Sequence, residues 1–219
     1  MKVYPIVFKH FSEEHRREDN IKEFIDSLPA NSIFYDLGAN LGWFSLYAAA
    51  LGHSTYAFEI DEHNFQGLEQ NLALNPGVYV KAFNRGVADC KRKVTFRASS
   101  QHVGGHHKTI DVEDFSASEE IISYAYTKEV EVNSLDNYIK AFELPMPDYL
   151  KVDIDGSEHS FLLGAQESLT SAKGMVIELF EENQYFEDSQ RIIEACGFSL
   201  EKVYEIPGHK GLNNYCYRK

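Results

Sequence analysis

Apolar and polar positions along this chain follow two different periods. Ser32 to Leu37 is a short apolar run broken only by Asp36, with the character of a buried strand. Gly38 and Gly42 bracket a turn, and Phe44 to Ala50 is an apolar, alanine-rich helix start. Ser54 to Phe58 is a second strand, and Asp61 to Leu74 carries Phe65, Leu68 and Leu72 at helical spacing until Asn75-Pro76-Gly77 stops it. Val78 to Phe83 is a third strand. Upstream, Ser12 to Leu28 places Ile21, Phe24, Ile25 and Leu28 on one helical face, with Ser12 as cap and Pro29 and Asn31 as terminators. Strand and helix alternating in this way imply a parallel sheet with right-handed crossovers.

The middle of the chain breaks that rhythm. Val94 to Arg97, Thr109 to Val112 and Glu129 to Val132 are short strands, and Leu135 to Phe142 is a helix capped by Ser134. Regular order returns with a buried strand at Tyr149 to Ile154, a helix at His159 to Leu169 and a strand at Met175 to Phe180. Glu187 to Cys196 is a helix stopped by Gly197; Phe198 to Ile206 and Asn213 to Tyr217 are strands with no helix between them, so they pair antiparallel. The fold class expected is α/β: a Rossmann-like, seven-stranded, mostly parallel sheet with an antiparallel C-terminal hairpin. Residues 1–219 read as one domain, with 1–30 an N-terminal helical cover and 99–128 an insertion.

Composition narrows the partners. A net charge of −13 and a pI of about 5.1 argue against nucleic acid, because phosphate binding needs a basic face. Met1 to His10 is short and polar for a signal-peptide core, and no run is long enough to span a bilayer, so no membrane insertion and a cytoplasmic location are expected. Cys90, Cys196 and Cys216 are far apart and match no metal or disulfide spacing, which reads as free thiols.

The glycine turn indicates the ligand. Strand, glycine turn and helix wrap backbone around a nucleotide-like molecule, and Glu59 at the tip of the second strand is placed to accept hydrogen bonds from two ribose hydroxyls. A dinucleotide fingerprint needs G-x-G-x-x-G. Here the spacing is G-x-x-x-G and Asp36 stands beside it, which suits a cation rather than a pyrophosphate. S-adenosylmethionine (SAM) has ribose, adenine, a sulfonium and an ammonium, and no phosphate. The expected cofactor contacts are Asp36, Gly38, Asn40, Gly42, Phe44, Glu59, Ile60, Asn84 and Asp153. Trp43 reads as core or as a wall of that site. A nicotinamide-dependent oxidoreductase and a non-catalytic SAM-binding scaffold are the competing classes; the turn spacing counts against the first.

Phe34-Tyr35-Asp36-Leu37-Gly38-Ala39-Asn40-Leu41-Gly42, Ala57-Phe58-Glu59, Ser134-Leu135-Asp136 and the run Asp148-Tyr149-Leu150-Lys151-Val152-Asp153-Ile154-Asp155-Gly156-Ser157-Glu158 together resemble the FkbM family of SAM-dependent methyltransferases. Leu163-Gly164-Ala165 and Val176-Ile177-Glu178 extend the likeness. The resemblance implies methyl transfer, in the EC 2.1.1 class, usually to a hydroxyl oxygen, often on a sugar or a polyketide; for this chain a small-molecule hydroxyl, a sugar of a glycan or glycoconjugate, is the expected acceptor. The acceptor is not inherited with it, and residues 99–128 are where acceptor choice is expected to reside.

An alcohol is a poor nucleophile unless a base or metal assists it. Asp153, Asp155 and Glu158 cluster after the fourth strand, and Glu178 and Glu181 lie near the end of the next. Close carboxylates repel unless a cation or a proton is shared. In one reading Asp153 or Asp155 is the base; in the other Asp153, Asp155 and Glu178 hold Mg²⁺ or Mn²⁺. Glu158 also reads as a helix N-terminal acid, and Lys151 as an ion-pair partner. His106, beside Gly104 and Gly105, with His107, and His159 past the acids, are further candidates for proton transfer.

Overall fold

The computed structural model describes residues 19–98, 108–110 and 125–219. Helix α1 (Asp19–Asp26) buries Ile21, Phe24 and Ile25. It is followed by β1 (Ile33–Leu37), α2 (Trp43–Ala50), β2 (Ser54–Phe58), α3 (Glu62–Ala73) and β3 (Val80–Phe83). Next come β4 (Gly86–Val87), β5 (Arg92–Ala98), β6 (Lys108–Ile110) and β7 (Tyr126–Asn133). The chain continues through α4 (Leu135–Ala141), β8 (Tyr149–Val152), α5 (Glu158–Gly164), α6 (Gln166–Ser171), β9 (Gly174–Phe180), α7 (Phe186–Ala195), β10 (Ser199–Glu205) and β11 (Leu212–Arg218).

The main sheet has seven strands in the order β10-β11-β9-β8-β1-β2-β3. β3, β2, β1, β8 and β9 are parallel, and β11 enters antiparallel between β9 and β10. This is the expected architecture. Register fixes which side chains share a face. Asp36 stands beside Lys151, and Lys151 beside Val176, which stands beside Cys216. One pleat toward the C-terminal ends of the parallel strands come Gly38, Asp153 and Glu178, the last paired with Asn214. This face is covered by α1 and α2, whose Ile21, Phe24, Ile25 and Phe44 pack with Phe34, Tyr149, Val176 and Cys216. Each such buried side chain contributes about 1.5–3 kcal/mol. The opposite face is closed by α4 to α7, with Phe161, Leu162 and Ile193 against Leu150, Met175 and Ile177.

The middle region forms its own four-stranded sheet, β4-β7-β5-β6. The sequence shows β5 and β7 only as shorter runs and does not show β4. Val94, Val132 and Ala88 form its buried side, against which Ile60 packs. The two histidines His106 and His107, and most of the 99–128 segment, lie outside the described residues, as does the start of the Ser12 to Leu28 helix.

The His159 to Leu169 run is two helices, not one. Gly164 is the last residue of α5, and it must be glycine because a Cβ there would lie 2.2 Å from the Ala88 carbonyl oxygen. α6 then restarts on a cap from a distant residue: Asp136 accepts hydrogen bonds from the Glu167 and Ser168 amides, each at 2.9 Å. The Ser134-Leu135-Asp136 motif is therefore a double cap. Ser134 caps the start of α4, its Oγ accepting from Asn137 N at 3.2 Å, and Asp136 opens α6. All three cysteines are free thiols, and among the described residues no helix is long and apolar enough to cross a membrane.

The tightest joint between strands is at Gly38. Its φ is +76°, and a Cβ there would lie 1.7 Å from the Asp153 carbonyl oxygen. Gly38→Ala is therefore expected to lower the unfolding free energy by about 2–4 kcal/mol, combining left-handed strain with a backbone clash. Urea denaturation of the variant against the parent checks this.

Candidate active site

The site begins with an amine inside the sheet. Lys151 is 3% exposed, in the middle of β8. Its Nζ donates to the Gly38 carbonyl at 2.9 Å and lies 3.2 Å from Asp153 Oδ2 and 3.4 Å from Asp36 Oδ1. Asp36 is fully enclosed, and its Oδ2 accepts from Ser45 Oγ at 2.5 Å. This corrects the expectation for Asp36. Its carboxylate lies under the glycine turn, paired with Lys151 and Ser45, and does not face a ligand. Phe44 is likewise buried in the core beneath the turn, with the Lys151 amine 5.8 Å from its ring centroid. Trp43 packs on the rim of the same cluster and against Tyr47.

Glu59 ties the two ligand-facing loops together. Its Oε2 accepts from Asn40 N at 2.7 Å and its Oε1 from Asp61 N at 2.8 Å. Asn40 takes a φ of 50°, and its side-chain Oδ1 is buried with no hydrogen-bond partner. Gly42, at φ +78°, starts α2 where a Cβ would meet Leu68 Cδ1 at 2.0 Å. The sequence reading places Asn84 against a base. In the structure its Nδ2 donates to the carbonyls of Glu59 and Ile60 at 2.8 and 3.1 Å, so it braces the Glu59 tip from below.

Two residues of this network were not singled out from the sequence. Asp61 is the N-cap of α3, and it also accepts from Tyr126 Oη at 2.7 Å. Tyr126 begins β7, so this bond ties the small sheet to the tip of β2. A capping aspartate two residues after Glu59 is visible in the sequence. Its partner 65 positions away is not.

The acid-rich turn after β8 is built around Glu158. Glu158 Oε1 accepts from Ile154 N at 3.0 Å and Gly156 N at 3.2 Å. Asp155 and Gly156 take φ values of 51° and 92° to turn those amides inward. Burial pushes the Glu158 carboxyl up to about 7, opposed by these amides and reinforced by the Asp153 charge. Glu158 thus closes its own turn and is not presented to an acceptor, which corrects its assignment to catalysis. Glu178 differs. Among the described residues no side chain or amide donates to its carboxylate. Burial raises it well above the usual carboxylate range, with the charges of Asp153, Glu158 and Asp155 adding to the effect and Lys151 opposing it.

Asp153, Asp155 and Glu178 feel one another's charge but do not converge on a common point. Among the described residues there is no group of three His, Cys, Asp or Glu side chains placed to hold a metal ion. The donor set expected for Mg²⁺ or Mn²⁺ therefore does not fit. Lys151 supplies a neighbouring positive charge, and burial shifts Glu158 and Glu178 toward their neutral forms. His159 is turned away from these acids: its Nε2 lies 2.9 Å from Asp188 Oδ2, and its ring stacks on Tyr185.

The sheet order, with one antiparallel strand inserted beside its end, is that of the methyltransferase fold. Two solved structures share it: magnesium protoporphyrin IX methyltransferase from Synechocystis PCC 6803 with bound SAM (TM-score 0.56, 11% identity, covering 100% of this chain and 86% of that one), and Aeropyrum pernix fibrillarin in complex with S-adenosyl-L-methionine (TM-score 0.56, 8% identity, 92% and 74%). At these identities the likeness is one of fold. The family follows from the sequence. Residues 36–200 match the Methyltransferase FkbM domain, and the chain belongs to that family. Similar proteins include the hexuronic acid methyltransferase AglP of Haloferax volcanii, 22% identical over 162 residues, covering 74% of this chain and 62% of AglP. Another is the methyltransferase sdnD of Sordaria araneosa, 25% identical, covering 80% of this chain and 77% of its own length. The chain thus spans less than two thirds of AglP.

The raised Glu158 carboxyl has a consequence for stability. A carboxyl whose folded value lies above its unfolded value of 4.5 contributes stability in its protonated form, present at low pH and lost as pH rises toward about 7. The loss amounts to about 3 kcal/mol. Glu158→Gln keeps the acceptor oxygen for Ile154 and Gly156 and carries no charge. Its unfolding free energy is expected to fall less than the parent's between pH 5 and 8, roughly the window between the two values. Denaturant titrations across that range check this.

Proposed function

We propose that the chain is a SAM-dependent O-methyltransferase that methylates a sugar hydroxyl. The observation that carries this reading is the Glu178 carboxylate. Among the described residues nothing donates to it, burial raises its pKa, and it stands at the strand ends on β9, one pleat beyond Val176, the neighbour of Lys151. Ligands of open α/β sheets bind at those ends. AglP is named as acting on a hexuronic acid, which supports a sugar acceptor.

The residues around the turn fit SAM. Glu59 is fixed at the tip of β2 by the Asn40 and Asp61 amides, the position from which a carboxylate accepts ribose hydroxyls in nucleotide-binding α/β sheets. The Asn40 Oδ1 is an acceptor without an internal donor, which suits a cationic ligand. Gly38 brings backbone to the cleft without a side chain, and Asn84 and Tyr126 hold Glu59 and Asp61 in place. Bound SAM supplies an electrophilic methyl group on a sulfonium. The protein supplies alignment and a proton acceptor. Glu178 takes the acceptor hydroxyl's proton as its oxygen attacks, and Asp153, 3.2 Å from the Lys151 amine, orients that hydroxyl. A carboxylate raised toward the working pH is a stronger base than an exposed one.

Two outcomes test this reading. Glu59→Ala should weaken SAM binding at least tenfold by calorimetry, since each lost charge-assisted hydrogen bond is worth about 1.5–3 kcal/mol. Glu178→Gln should lower kcat by about 10²- to 10⁴-fold, leave SAM affinity within about twofold, and remove the ascending limb of the pH–rate profile. That limb follows from the sign: a base with a raised pKa becomes competent as pH rises through it. The assay is transfer of labelled methyl from SAM to a panel of glycans and small alcohols, with and without chelator. Turnover independent of chelator is expected, and a Glu178→Gln variant with parental kcat would assign the base elsewhere.

A further inference from the structure

Beyond the glycine turn, the C-terminal rim of the sheet carries a second built feature. His159 lies in the first turn of α5 and Tyr185 is the N-cap of α7. These helices follow β8 and β9, so both starts lie at the same rim as Asp153 and Glu178. The two rings are parallel, with centroids 4.4 Å apart and planes 11° apart. His159 Nε2 lies 2.9 Å from Asp188 Oδ2, which fixes the imidazole, and this contact holds Asp188 below its ordinary value. The backbone under Tyr185 is also fixed, by its amide donating to Asn183 Oδ1 at 2.8 Å and by Ser189 N donating to its carbonyl. Tyr185 nevertheless remains 47% exposed. One face of its ring is stacked on His159 and the other faces outward.

Resting on the sugar reading above, we propose that Tyr185 is the stacking platform of an acceptor subsite for an uncharged sugar ring, with His159 and Asp188 as its positioning residues. A rigid aromatic ring with one open face offers an apolar surface to the C–H face of a pyranose at little entropic cost, because its own conformation is already held. The charge around it selects among sugars. The neighbouring rim carries Asp153, Asp155, Glu178 and Glu182, and its basic side chains already face acids: Lys151 is enclosed between Asp36 and Asp153, and Arg191 lies 3.6 Å from Asp188. A uronate carboxylate brought to this rim meets like charge and competes with these carboxylates for Lys151 and Arg191. The chain is thus expected to differ in acceptor class from its relative AglP.

The test uses the full chain with labelled SAM. Acceptors are the methyl glycosides of glucose, galactose and rhamnose and, as the charged counterpart, methyl glucuronide. Saturation-transfer NMR with the same glycosides reads ring stacking apart from turnover. The expected result is a neutral glycoside preferred over the glucuronide. Tyr185→Ala should raise the acceptor KM at least tenfold with SAM affinity within twofold, and Tyr185→Trp should restore the parental KM. His159→Ala should raise the acceptor KM without moving the pH–rate limb, a split that general destabilisation would not produce. An acceptor KM within twofold in Tyr185→Ala, or preference for the glucuronide, overturns the subsite. A parent that binds SAM but neither binds nor methylates any of these sugars overturns the sugar reading itself.

Discussion

A buried amine holds this structure together. Lys151 lies in the middle of the sheet, and an ammonium out of water is tolerated only when paired and hydrogen-bonded. Its three partners, Asp36, Asp153 and the Gly38 carbonyl, belong to two adjacent strands at the point where both turn into loops. The amine therefore sets the distance between the glycine turn and the acid turn. It also places a positive charge beside Asp153, while burial pushes the Glu158 carboxyl up to about 7. Without it, four carboxylates would share one end of the sheet, and the turn that brings backbone to a ligand would lose its anchor.

A second layer of hydrogen bonds works outward from that centre. Glu59 gathers the amides of Asn40 and Asp61, Asn84 braces the carbonyls behind Glu59, and Tyr126 brings the small sheet to Asp61. The cofactor-facing tips of β1 and β2 are thereby joined to β7, which leads away from the 111–124 segment. The tips of the main sheet and the small sheet thus share one set of polar contacts. The exposed pairs Lys93–Glu129 and Lys128–Glu62 on the same sheet are solvated, and such pairs contribute little.

What the sequence reveals here is local. Gly38 and Gly42, Glu59 at a strand tip, and the alternation of strands and helices are all short-range patterns, and each is where the pattern puts it. Burial of polar groups is not short-range. Asp36 beside a glycine turn looks like a ligand contact, and only the register with Lys151 shows that it is enclosed. Glu158 reads equally well as a base or as a helix-start acid until the amides of Ile154 and Gly156 are seen to point at it. The requirement for glycine at Gly164 depends on Ala88, and the start of α6 depends on Asp136, contacts no window of sequence contains. The metal expectation failed for the same reason: three acids close in sequence pattern can repel one another without facing a common point.

The turn from Asp153 to Glu158 has one more consequence. Two successive left-handed residues bend its amides into a concave cup of the kind that binds phosphate in other folds. Here the cup is already filled by the chain's own Glu158 side chain, which accepts from the Ile154 and Gly156 amides. Those amides are thereby spent inside the protein and are not available to a phosphate.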